Sequence, residues 1–541
     1  MAMTPVRNLG QYGVIKDVAP YDLPINAWST GINVRFTNNR VRRGSIFRHV
    51  SNNVDLLGEP RIVFGLSSPG NVDTMLLVNK DMTVYSLINS TLTDISPTSL
   101  FTASDSDTPV TIGRLSGVTY INRETHRPFY MTDQGANFEV LPNWDSTWTC
   151  KALRPFKDYL IALNVTKNGT QNPTLVKWSD TVLAGTYPGS WDHTDTSKNA
   201  GEVPLSEIST EIVDGGTLKN SFMIYGTHET WAADYVGGND IFNFRRLFSN
   251  AGIIHTNCWA EVDGYHYVFG LNDIYIHDGF QKDSIVDQLN REYVFKILNR
   301  QKLDKCFVKH NKQTQEIWFC LNATIDECAF PDVDNANFAA VYNYISKCWS
   351  FADLPNVTVA GEASVGVVHT YAEAETEGLT YDTIGGSYAD QSDTRGVNTI
   401  MASIATVGIT TTRLLGVDLS DGGSLAKPYV SEVSPAPTLE RIGIDCDEIA
   451  ADLEGKKQVQ AAFPQVTLFD SGATFSIRLG SQAMSGEEVT WSPAVPYNPA
   501  TQYKINSRIN GRYLAMSVNL PQSHDAEFSG YDVDLIEISR R

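Results

Sequence analysis

Apolar and polar residues alternate along most of this chain in short runs broken by Gly, Asn, Asp and Pro, which is the signature of strands and tight turns. Arg61-Ile62-Val63-Phe64-Gly65-Leu66 is followed by Thr74-Met75-Leu76-Leu77-Val78, and the turn Asn79-Lys80-Asp81 leads into Thr83-Val84-Tyr85-Ser86-Leu87-Ile88. Gly117–Asn122 pairs with Pro128–Met131 in the same manner, Asp158–Leu163 with Thr174–Trp178, and Ser221–Tyr225 with Thr230–Tyr235. The clearest hairpin is Gly264-Tyr265-His266-Tyr267-Val268-Phe269, turning at Leu271-Asn272-Asp273 into Ile274-Tyr275-Ile276-His277. Glu316–Cys320 and Ala339–Tyr344 continue the series.

These pairs recur at intervals of roughly 40–50 residues, the period of propeller blades. The repeat lies in the pattern and not in residue identity. A ring of blades also disposes of exposed sheet edges. Stacked β-sandwiches would give a similar string, and that alternative stays open on pattern alone. One helix is predicted, from Ser284 to about Arg300, with a capping pair at Ser284 and Asp287 and an apolar stripe of Ile285, Leu289, Tyr293 and Ile297. Between about 356 and 420 the texture loosens, although Thr380–Gly385 reads as a further blade strand. Ser431–Pro437 reads as a linker, and the four or more strands beyond it suffice for a small sandwich. The expected fold is therefore all-β with few helices: a β-propeller over 1–430, carrying loop insertions, and a C-terminal β-sandwich platform domain over 431–541.

Composition excludes some alternatives. Hydrophobic residues make up 42% of the 541 positions, enough for large buried cores and too many for a disordered chain. The net charge of −20 disfavours a surface that binds nucleic acid all over, which would need a cation excess. The seven cysteines include no C-x-x-C pair and several sit in apolar runs such as Trp318–Leu321, so they read as reduced, buried thiols of a protein made in a cytoplasm. The first residues lack a signal sequence and no apolar stretch approaches the ~18 residues of a membrane span, so the expectation is a soluble chain.

Catalytic signatures are scarce. There is no G-x-x-x-x-G-K-[ST], G-x-G-x-x-G, H-E-x-x-H or G-x-S-x-G. Phe469-Asp470-Ser471-Gly472-Ala473 matches the aspartic-protease loop, but a single copy cannot supply two carboxylates sharing a proton, and a tight turn accounts for it. Asp332-x-Asp334-x-Ala336-Asn337 begins like a calcium loop yet lacks its glycine and closing glutamate, so it reads as an acidic turn. His266 and His277 read as exposed strand positions and not as ligands. Neither catalysis, metal nor cofactor is expected. The one basic cluster is Arg35, Arg40, Arg42, Arg43 and Arg48, interleaved with Phe36 and Phe47, a candidate for touching phosphate or for pairing with an acidic neighbouring subunit.

The opening segment Tyr21-Asp22-Leu23-Pro24-Ile25-Asn26-Ala27-Trp28-Ser29-Thr30-Gly31-Ile32-Asn33-Val34-Arg35-Phe36, with the basic strand Arg40-Val41-Arg42-Arg43-Gly44 after it, resembles tail nozzle proteins of short-tailed bacteriophages. That family is also called tail tubular protein B or tail hub, and is related to packaged-DNA stabilisation proteins. Val176–Asp180 with Pro188–Asp192, the block Gly216–Gly279, Cys348-Trp349-Ser350, Ile509–Ala515 and Arg540-Arg541 are similar in patches. The resemblance implies a propeller and platform, a homo-hexameric tube below an adaptor protein, and tail fibres or spikes docked outside. It further implies transient contact with double-stranded genomic DNA in the lumen, residence in the virion tail after assembly in the host cytoplasm, and no catalytic residues. Arg35, Arg40, Arg42, Arg43, Arg512 and Tyr513 are the candidates for subunit or DNA contact. A carbohydrate-binding or glycan-cleaving propeller, as in a receptor-binding tail protein, is the competing expectation, and would need exposed aromatics around paired carboxylates.

Overall fold

The computed structural model describes residues 2–50, 58–66, 74–88, 91–97, 107–132, 137–238, 240–325, 328–364, 397–404, 412–418, 436–445, 455–469, 472–521 and 524–539. Thr380–Gly385, most of the Ser431–Pro437 linker, Asp470, Ser471, Cys446, Arg540 and Arg541 lie outside these residues.

The predicted hairpins assemble into four-stranded antiparallel sheets, each a meander of consecutive strands. Blade 1 is Pro60–Leu66, Thr74–Asn79, Val84–Ile88 and Thr91–Asp94. Blade 2 is Val110–Leu115, Val118–Arg123, Phe129–Met131 and Glu139–Val140. Blade 3 is Trp148–Phe156, Tyr159–Lys167, Thr170–Trp178 and Gly201–Pro204. Blade 4 is Ile212–Leu218, Ser221–Gly226, Thr230–Tyr235 and Phe242–Phe248. Blade 5 is Trp259–Val262, Tyr265–Phe269, Ile274–His277 and Lys282–Ser284. Blade 6 is Phe307–Asn311, Glu316–Leu321, Ala336–Asn343 and the first half of Cys348–Ser364. In blades 2 to 5 a two-residue turn joins the first and second strands, with φ > 0 at Ser116, Gly117, Lys157, Lys219, Asp263 and Gly264. Such turns match the twist of the strands they connect.

A seventh sheet closes the set. Cys348–Ser364 changes partner at a register shift between Val357 and Val359, and its second half pairs with Val397–Ile404. Thr412–Val417 follows, and the outermost strand is Phe47–His49, contributed from before blade 1. The apolar clusters run between successive sheets. Ile62, Leu76 and Val78 of blade 1 meet Ile121 and Phe129 of blade 2. Tyr120 and Tyr130 meet Leu153 and Leu160. Phe156 and Tyr159 meet Phe222 and Trp231. Cys320 and Val341 of blade 6 meet Phe47 and Met401 of blade 7. Ile400 and Ala402 of blade 7 meet Val63 and Leu77 of blade 1, completing a β-propeller of seven sheets. Gly65 sits where blade 7 crosses blade 1, and a Cβ there would lie 2.7 Å from the Glu362 carbonyl oxygen.

The platform is a β-sandwich, but strand pairing crosses the boundary expected at residue 431. One sheet joins Ala2–Arg7, Val34–Thr37 and Arg40–Arg43 to Ala526–Ser539, Lys456–Leu468 and Ile505–Gly511. The facing sheet joins Thr30–Ile32 to Thr438–Ile444, Tyr513–Asn519 and Phe475–Gln482. Their shared core includes Val34, Phe36, Val41, Ile477, Met516 and Phe528. Ile32 also pairs in parallel with Phe351, so the platform sheet is continuous with blade 6.

The helix is shorter than its periodicity suggests. It spans Arg291–Ile297, because Ser284 ends a blade 5 strand and Gln288 takes φ 59°. Asn290 makes no side-chain cap; instead the Asp17 carboxylate accepts the backbone N–H groups of Glu292 (2.7 Å) and Tyr293 (2.9 Å). The six described cysteines are free and buried, as expected of reduced thiols. Among the described residues no helix is long and apolar enough to cross a membrane.

Candidate functional site

The basic cluster divides into separate structures. Arg35 stands on the platform strand Val34–Thr37, and its guanidinium reaches into the seam between blades 6 and 7. Nε donates to Glu316 at 2.6 Å, and one terminal nitrogen donates to Asp418 at 2.8 Å and to the Ser45 hydroxyl at 2.7 Å. Asp418 also accepts from Ser45 (2.9 Å) and from the Ile46 backbone N–H (2.9 Å), which sets the strand Phe47–His49 in place. Burial opposes the charge on Arg35, but Glu316 and Asp418 outweigh it and hold the guanidinium above the usual arginine range. Burial likewise opposes the Asp418 charge, while Arg35 and the Ile46 amide bring its carboxyl below the ordinary value. Arg35 is thus a clamp on the last blade, buried among its own chain's carboxylates.

Arg40 and Arg42 share one acid, Glu527 of the adjacent platform strand; Arg42 Nε lies 2.7 Å from it. The Arg42 guanidinium also lies over Phe469, 4.8 Å from the ring centre. Arg43 ends its strand, opposite Val34. Arg512 and Tyr513 stand where the chain passes from one platform sheet to the other, with the exposed guanidinium 5.4 Å from its neighbour's ring centre. That corner adjoins Lys457, whose ammonium donates to the Arg512 carbonyl at 3.1 Å, whereas Glu527 adjoins Thr467 in register. Ten residues of extended strand separate these points, about 33 Å at 3.3 Å per residue. The six candidates therefore make no single site.

Residues from blades 1, 2, 3, 5, 6 and 7 line a cavity of about 570 Å³. Its walls are largely apolar, with Phe64, Ile112 and Val308 among them, and its charged side chains meet opposite charges. Arg154 grips Asp214 through two hydrogen bonds of 2.9 and 2.8 Å, and Lys309 meets Glu362 at 3.1 Å. At the mouth the Asp107 carboxylate receives Arg61 (2.8 Å), Lys305 (3.0 Å) and Lys80 (3.1 Å). Partial burial works against its charge, but hydrogen bonds from the lysines win and its pKa falls to about 2.

His266 and His277 are not exposed. Both are buried between blades 4 and 5, 0% and 1% accessible, because blade 5 is covered on the face that alternation assigned to solvent. Asp332–Asn335 is a turn that leads into the blade 6 strand; there the Asn337 carboxamide accepts the Ala323 N–H at 2.7 Å, and Asp334 meets Lys302 at 3.1 Å. Among the described residues no group of three His, Cys, Asp or Glu side chains is arranged to hold a metal ion.

The architecture defines a β-propeller protein whose first and last strands build its platform. No protein-family model matches the chain, and no curated protein matches it. Among solved structures, the chain is similar to one titled "Crystal structure of BBS1N in complex with ARL6DN, soaked with lead", at 11% identity and a TM-score of 0.37, covering 70% of this chain and 98% of that one.

Proposed function

We propose that the chain is a structural component of a bacteriophage tail: six copies form a nozzle below the adaptor through which double-stranded DNA is held and then ejected, with fibres or spikes docked outside. The observation that carries the reading is the opening segment Tyr21–Phe36 and the basic strand after it, which resemble the tail nozzle family. The electrostatics support it. DNA slides past a wall that does not collect its phosphates, and cations freed of partners would displace counterions and slow it. Arg35, Arg40 and Arg42 are neutralised by Glu316, Asp418 and Glu527 within the chain, in a protein of net charge −20. The role is architectural and needs no catalytic residue.

Quantitative mass spectrometry of purified virions tests this. The expected result is six copies per particle, with the chain on the tail axis in a particle reconstruction. Absence from virions, or a position off the axis, would overturn it. Saturable binding on a glycan array by a chain found off-axis would favour the receptor-binding alternative.

A further inference from the structure

Between blades 4 and 5 lies a hydrogen-bonded relay that no part of the nozzle reading uses. The Tyr225 hydroxyl stands 2.6 Å from His266 Nδ1 and 2.7 Å from His277 Nε2. His266 Nε2 lies 2.8 Å from the Thr217 carbonyl oxygen. These contacts fix the protons. A carbonyl only accepts, so His266 Nε2 carries hydrogen and its Nδ1 is a lone pair. Tyr225 therefore donates to His266 Nδ1, and its oxygen accepts from His277 Nε2–H. That leaves His277 Nδ1 as a buried lone pair without a partner.

A proton arriving at this relay would enter at His277 Nδ1, where no acceptor waits for the N–H it creates. The nearest carboxylates, Asp214 and Asp278, favour a proton here but do not offset burial, because each is already engaged. Trp259 stacks on His266 at 4.6 Å between centres, and Phe248 and Tyr275 meet His277 edge-on or tilted at 5.5 and 6.0 Å. From blade 4, Asp214 is held by Arg154. At the turn of blade 5, Asp278 accepts the Phe280 and Gln281 backbone N–H groups. The turn of blade 4 presents Lys219, a cation that repels a second one. Tyr225 itself is fully buried and neutral.

We propose that this relay makes the seam between blades 4 and 5 proton-sensitive: uptake of protons by the histidine pair opens that seam while the rest of the ring stays closed. Burial lowers His266 to about 4; burial and then His266 lower His277 to about 3. A solvated histidine titrates near 6.5. The open seam thus binds more protons than the closed one from about pH 6.5 down to about 3. The closed seam keeps its full stability above 6.5 and loses it progressively below. With two protons taken up, the opening constant approaches a rise of about a hundredfold per pH unit well below pH 6.5; from pH 6.5, where each open-state ring is half protonated, to pH 5 it rises about 2 × 10²-fold.

Hydrogen exchange on the whole chain at pH 7 and pH 5, corrected for intrinsic rates, reads this directly. Peptides over Ser221–Gly226, Tyr265–Phe269 and Ile274–His277 should lose protection at pH 5 while Thr74–Asn79 of blade 1 does not. In His277→Gln, whose side chain still donates to Tyr225 but cannot titrate, the rise should fall to about tenfold per unit. Histidine C2–H exchange on the unaltered chain gives a readout that needs no variant: His266 and His277 should titrate well below 6.5. Loss of protection in step with blade 1, or titration of both rings near 6.5 in the folded chain, would overturn the proposal.

Discussion

Replacing Arg35 with methionine tests the clamp on the seventh blade. The substitution keeps most of the side-chain volume and removes the charge, leaving Glu316, 3% exposed, and Asp418, 22% exposed, without their shared cation. Deleting one partner of a buried ion pair costs about 3–5 kcal/mol, because the charge left behind has lost its water and gained nothing. Global unfolding of a chain with two packed units is not a two-state measurement, so the effect is best read locally. Among the described residues the strand Phe47–His49 pairs with one strand, Thr412–Val417, and is tied down by the Asp418 contacts to Ser45 and Ile46. At 1.4 kcal/mol per decade, amide exchange over Phe47–His49 and Leu415–Val417 should accelerate by between about 10²- and about 4 × 10³-fold. Asp418, whose folded carboxyl titrates below the usual carboxylate range, contributes throughout the range above pH 4 and loses its contribution only below it. The acceleration should therefore be the same at pH 6 and pH 8. The triple variant Arg35→Met, Glu316→Gln, Asp418→Asn removes the stranded charges and should recover most of the protection. A folded Arg35→Met chain whose clasp exchanges at the original rate would refute the reasoning.

Two further perturbations probe closure and docking. Gly361→Val places a side chain against the Val63 carbonyl, so blade 7 must move off blade 1; soluble yield on expression should collapse, whereas Gly169→Val, at a turn with open space around it, should keep normal yield despite the strained φ. Asp17→Ala removes the cap from the helix Arg291–Ile297 and should cost about 1 kcal/mol, seen as roughly fivefold faster exchange of the Glu292 and Tyr293 amides, with the propeller strands unaffected.

The blades were legible because each is local. Tyr265–Phe269 and Ile274–His277 turn within four residues, and alternation plus a Gly or Asn is enough to mark them. The closing strand was not. Phe47–His49 is three residues long and pairs with Leu415–Val417, more than 360 positions away, so its own pattern says nothing of its partner. The partners of the arginines were illegible for a related reason. A run of charge on a strand does not name its counter-ions, and the acids that neutralise Arg35 and Arg40 lie 281 to 487 positions downstream. The histidines were misread because alternation assigns one strand face to water, and in a ring of stacked sheets both faces are covered. The helix lost its first turns to a strand end at Ser284 that periodicity could not register.

The pairing of Ala2–Arg7 with Ala526–Ser539 has a consequence for how the molecule comes into being. Thr4 finds Val533 only after every blade between them has left the ribosome, so the platform has very high contact order and must form after the blades. Until then the apolar sides of Val34–Thr37 and Arg40–Arg43 wait uncovered while the blades condense one after another. Nascent chains should consequently engage chaperones through the Val34–Arg43 segment, and synthesis that stalls before Ala526 should yield aggregates in which the blades are already folded.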